Sequence, residues 1–76
     1  MLFKKCITFE VPKKDVAKVL DGLVAVLPTR VAKSRDAGWY VISLSSKKNF
    51  KLCMSEIMKL ASGGAVIRRM NVEWKI

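Results

Sequence analysis

KKDVAKVLDGLVAVL (residues 13–27) and KKNFKLCMSEIMKLA (residues 47–61) are the stretches from which the fold is read. In the first, Val16, Val19, Leu20, Leu23, Val24 and Leu27 follow the i, i+3, i+4, i+7, i+8, i+11 spacing of one helical face. Each recurs 34 residues later, as Phe50, Cys53, Met54, Ile57, Met58 and Ala61, and the pair Lys13-Lys14 returns as Lys47-Lys48. The spacing predicts two amphipathic helices, with Leu20 and Met54 as equivalent core positions. Pro12 suits the first turn of one helix, and Pro28 stops it. Ser45 or Ser46 is expected to cap the other, and Gly63-Gly64 to end it through positive φ. Gly22 is expected to sit off the apolar stripe.

Outward from the helices the pattern changes to a period of two. Residues 2–11 read as a strand, with Phe3, Ile7, Phe9 and Val11 on one side and Lys4, Cys6, Thr8 and Glu10 on the other. Thr29 to Arg35 is a short basic strand, Asp36-Ala37-Gly38 a turn, and Trp39 to Leu44 a strand rich in β-formers. Val66, Met70, Val72, Trp74 and Ile76 are expected to line the core face of a last strand. Parity puts Arg68 on that face too, which requires either a snorkelling side chain at an edge or a bulge. The order βαββαβ fits a split-βαβ, ferredoxin-like α+β domain over residues 1–76. Its sheet would be antiparallel in the order 4-1-3-2, with both helices on one face.

The charge is the second signal. Fifteen Lys and Arg stand against six acids, for a formal +9, while 51% of the chain is hydrophobic. That combination describes a packed domain with anionic partners, not a disordered tail. With no histidine, the commonest general base and metal ligand are absent. Cys6 and Cys53 have no metal spacing and are too few for a disulfide scaffold. No local carboxylate pair or phosphate-binding glycine loop is present, so the expectation is a non-enzymatic chain without cofactor or metal. Its longest apolar run, Leu23 to Leu27, is too short to span a membrane, and a reducing, cytoplasmic setting is expected.

The topology gathers the charges into two basic corners. Lys13, Lys14 and Arg35 should meet at the start of the first helix, and Lys47, Lys48, Arg30 and Lys75 at the start of the second. Helix starts bind phosphate through unpaired N–H groups. The helix-free sheet face is expected to carry Lys4, Cys6, Thr8, Trp39, Val41, Ser43, Ile67, Arg69 and Asn71. Gly38-Trp39-Tyr40-Val41-Ile42-Ser43-Leu44 is similar to the third-strand signature of RRM domains, which implies single-stranded RNA stacked on the sheet. It departs from that signature at Val41, where a second ring belongs, and Cys6 and Thr8 supply no aromatic on the first strand. Val11-Pro12-Lys13-Lys14-Asp15-Val16 resembles the corresponding segment of ACT-type regulatory domains, without their glycine after the proline.

The expected function is a nucleic-acid-binding module, for RNA or single-stranded DNA before duplex. Lys13, Lys14, Arg30, Arg35, Lys47, Lys48 and Arg69 would contact phosphates, and Trp39 would stack a base. The alternative is a small inhibitor or adaptor without catalytic groups, of the kind a virus or mobile element encodes, docking on an acidic protein surface. The sheet-face patch around Trp39 also suits a homodimer.

Overall fold

The computed structural model describes residues 4–23, 30–46 and 50–75. It is a small α+β domain: a four-stranded antiparallel sheet in the order β2-β3-β1-β4 with two helices. The central strand β1 (Lys4–Pro12) pairs with β3 (Trp39–Ser46) on one side and β4 (Arg68–Lys75) on the other, and β2 (Arg30–Lys33) closes the β3 edge.

Alternation along β1 sorts its side chains as the sequence predicts. Ile7, Phe9 and Val11 are buried, and they stand beside Leu44, Ile42 and Tyr40 of β3. Val19 and Leu23 join this cluster from α1 (Val16–Gly22), and Cys53 and Ile57 from α2 (Phe50–Ser62). Both helices therefore cover the same face of the sheet. The 34-residue repeat holds where it matters for packing, since Val19/Cys53 and Leu23/Ile57 are its buried pairs. Leu20 and Met54, expected as the core, are only half-buried, and Met58 and Ala61 are exposed. Val24 and Leu27 lie outside the described residues.

Local chemistry sets the element ends. Lys13–Asp15 form a turn of 3-10 helix before α1, and the Lys13 N–H donates to the Gly38 carbonyl at 2.8 Å. Ser45 and Ser46 stand in β3, and the residues that lead from them into α2 lie outside the described ones. The two serines pair with Cys6 and Lys5 of β1. α2 ends in a Schellman motif: Ala65 N–H donates to Leu60 O, and Gly64 N–H to Ala61 O, with Gly64 at φ +102°. Lys18 Nζ reaches the Gly63 carbonyl at 2.9 Å, placing a cation at the negative end of α2. Buried Asp15 accepts the Val66 N–H at 3.1 Å, tying the start of α1 to the α2–β4 loop.

Gly22 corrects a sequence expectation. A Cβ there would stand 2.6 Å from Leu60 Cδ2, so the glycine is the point of close approach between the helices and not an idle surface position. β4 supplies a second correction. Its register against β1 shifts between Thr8 and Glu10, so Arg69 and Met70 together oppose Phe9. This bulge, with Arg69 at φ +53°, carries Arg68 across to the open face beside Glu10. Ile67 packs against the core instead. Val66, Met70 and Val72, expected as core, are exposed.

Candidate nucleic-acid interface

The open face of the sheet and the β2–β3 turn meet at one corner of the domain. The turn is shaped by its own side chains and backbone. Ser34 Oγ accepts the Asp36 N–H at 3.2 Å, and the Trp39 N–H donates to the Asp36 carbonyl at 3.2 Å. Ser34 N–H closes the loop onto the Trp39 carbonyl at 3.0 Å. These bonds hold the Asp36 carboxylate near the end of β4.

There the bulge delivers two arginines. Arg68 Nε donates to Glu10 Oε1 at 3.0 Å, and its Nη2 bridges Glu10 Oε1 at 2.9 Å and Asp36 Oδ2 at 2.5 Å. Arg69 Nη1 lies 3.1 Å from the same Asp36 oxygen and 3.5 Å from Glu10 Oε2. The Arg68 guanidinium also covers one face of the Trp39 ring, with Cζ 3.6 Å from its centroid. Two cations and two anions balance, so this patch carries no excess charge.

The rim differs. Lys13, Lys14, Lys33 and Arg35 are exposed, and none forms an ion pair with a described residue. Two open clefts lie among them. One of about 700 Å³ is lined by Glu10, Lys33, Ser34, Arg35, Asp36, Val41 and Arg69. The other, about 410 Å³, is lined by Lys13, Lys33, Ser34, Asp36, Gly38, Trp39 and Tyr40, with Ala37 completing it. Lys33, Ser34 and Asp36 border both.

Of the residues singled out from sequence, Lys13, Arg35, Trp39 and Arg69 line these two clefts, and Lys14 neighbours Lys13 in the 3-10 turn. Arg30 is exposed at the other end of β2, opposite Ser43. Lys47 and Lys48 lie outside the described residues. Sequence reasoning missed Lys33, and it missed Glu10 and Asp36 as partners of the arginines. The parity violation at Arg68 was the available signal for the bulge that brings them together. Cys53 is buried, and half-buried Cys6 places its Sγ 3.8 Å from Ser45 Oγ. Among the described residues no cluster of His, Cys, Asp or Glu is arranged to hold a metal, and no helix is long and apolar enough to cross a membrane.

No family model matches the chain, and no curated protein is significantly similar to it. Among solved structures it is similar to a conserved hypothetical protein, Aq1575 from Aquifex aeolicus, with 22% identity and a TM-score of 0.55. The match covers 97% of this chain and 29% of that one, so the likeness is one of fold, to a part of a larger protein.

Proposed function

We propose that the domain binds single-stranded nucleic acid at the β2–β3 corner, through phosphate contacts from Lys13, Lys14, Lys33 and Arg35. The observation that carries this reading is the pair of adjoining clefts whose rim cations have no acidic partner among the described residues. A flexible single strand can follow such a bent rim, whereas neither helix is presented as a reader of a duplex groove. Trp39 takes a base on the ring face that Arg68 leaves, or on both faces once Arg68 is displaced. Counted from the β4 edge, the strand order β2-β3-β1-β4 reads 4-1-3-2, which supports assigning the domain to the split-βαβ, ferredoxin-like class.

The test is binding of a fluorescently labelled oligonucleotide, followed by anisotropy at low salt and by quenching of tryptophan fluorescence. The reading expects saturable binding of RNA or single-stranded DNA, weaker binding of duplex, and loss on reversing the charge of Lys33 and Arg35. Absence of binding at low salt rejects it. So does a stoichiometric protein partner retained from lysate after nuclease treatment, the result expected of an adaptor that docks on an acidic surface.

A further inference from the structure

The two clefts differ in what they offer a base. The smaller joins Trp39 and Tyr40 to the cations Lys13 and Lys33, and no ring of a described residue lines the larger. Arg68 lines neither, although its guanidinium lies 3.6 Å from the Trp39 centroid. The guanidinium therefore covers one face of the ring, and the part bordering the smaller cleft is the part it leaves open. Arg68 is itself fixed. It stands directly beside Glu10 in the sheet register, Glu10 Oε1 accepts both its Nε and its Nη2, and Nη2 also meets Asp36 Oδ2. The Trp39 backbone is held as well, by the bonds to the Asp36 carbonyl and from the Ser34 N–H.

Resting on the nucleic-acid reading above, we infer that the site holds a single base, stacked on Trp39 in the smaller cleft, and that Arg68 is the positioning residue that stays against the other face and fixes the ring. A tryptophan side chain left free would have to be ordered when the base arrives, which weakens stacking. Here the ordering is completed on folding. A guanidinium can lie flat on a ring while its nitrogens bond a carboxylate, which the ammonium of a lysine cannot do. A base does not displace Arg68, because that would leave largely buried Glu10 with only the longer Arg69 contact. Glu10 alone supplies two of the contacts to Arg68, so the arrangement does not depend on Asp36. Lys13 and Lys33, in the same cleft as the ring, are placed for the phosphates of the stacked nucleotide.

The test compares oligothymidylate with an abasic deoxyribose-phosphate strand of equal length, each competing with one labelled oligonucleotide in an anisotropy titration. The wild type should bind oligothymidylate about tenfold tighter, the scale of one stacked base. An abasic strand carrying a single thymidine should recover most of that difference. Arg68→Lys keeps a cation beside Glu10 but not the flat contact, and it should cut the preference to about threefold or less. Its salt dependence should match the wild type, because Arg68 contacts no phosphate. The preference is a ratio measured on one protein, so an unfolded fraction cancels. Without any ligand, in a Trp74→Phe background, time-resolved fluorescence anisotropy should show a more mobile Trp39 in Arg68→Lys. If neither strand binds at low salt, the nucleic-acid reading falls and the base site with it. Equal binding of the two strands by the wild type, or recovery that needs several thymidines, leaves phosphate binding standing and overturns the single-base site. A preference kept in full by Arg68→Lys, or a Trp39 equally immobile in both proteins, overturns the positioning role.

Discussion

Arg68 and Arg69 on the sheet, and Lys33 and Arg35 on the β2–β3 edge, are cations bordering one corner, yet they do opposite work. The arginines of β4 are spent inside the molecule, on Glu10, Asp36 and the Trp39 ring. Lys33 and Arg35 have no such partners among the described residues and remain available to an anion from outside. The difference teaches that a formal +9 is not a uniform coat. Two of the six acids are concentrated where they neutralise the sheet face, which leaves the rim as the basic surface of this corner.

The largest expected effect breaks the rim. The triple change Lys13→Glu, Lys33→Glu and Arg35→Glu should lower oligonucleotide affinity by about 100-fold or more at moderate salt. It should leave the thermal unfolding midpoint nearly unchanged, because exposed unpaired charges contribute little to stability. Anisotropy titration and a circular-dichroism melt of the same sample check both halves. Next comes the paired cluster. Glu10 is 12% exposed and serves both arginines, so Glu10→Ala should cost about 1–2 kcal/mol in a urea titration, because half-buried Arg68 is left with Asp36 alone while the Arg69 contact is exposed and screened.

Asp36→Asn sharpens the contrast. Asp36 is the more exposed acid, so its loss should cost less, about 0.5–1 kcal/mol once solvent screening is counted. The same change frees positive charge toward the cleft, and it should strengthen oligonucleotide binding by about threefold to tenfold. Weaker binding would mean that Asp36 shapes the site instead of competing with its ligand. The smallest effect concerns the bulge. Arg69→Gly gives up exposed ion pairs but relieves a left-handed backbone, so net stability should stay within about 0.5 kcal/mol of wild type. Arg69→Val loses the pairs and keeps the strain, and it should cost about 1–3 kcal/mol in the same titration.

The legible part of this molecule was periodic. Alternation in Ile7, Phe9 and Val11 and the helical spacing of Val19, Leu23, Cys53 and Ile57 announce a sheet under two helices, because each period commits a whole face to burial. What periodicity cannot announce is a break in itself. One extra residue at Arg69 reverses the face of the residues just before it, so Arg68 at the start of β4 and Ile67 ahead of it exchanged the sides that parity assigned them. The same break made Trp39 a partner of Arg68 and not a bare stacking platform. Gly22 was misjudged for a related reason, since a helix–helix approach at Leu60 depends on how the two helices cross, which neither stripe encodes. In the candidate site, Lys13 and Arg35 were found because the topology brings the β2–β3 hairpin up to the turn that starts the first helix. Lys33 was missed because a charged residue in a short edge strand carries no pattern of its own.

The salt dependence of oligonucleotide affinity, measured side by side for wild type, Lys33→Ala and Arg69→Ala, tests the division between spent and available cations most directly. On single strands each phosphate contact contributes about −0.7 to the slope of log K against log salt. The account predicts a wild-type slope near −3 for four rim contacts, a reduction of about 0.7 for Lys33→Ala, and no change for Arg69→Ala. An equal reduction in both variants, or a wild-type affinity indifferent to salt, would contradict it.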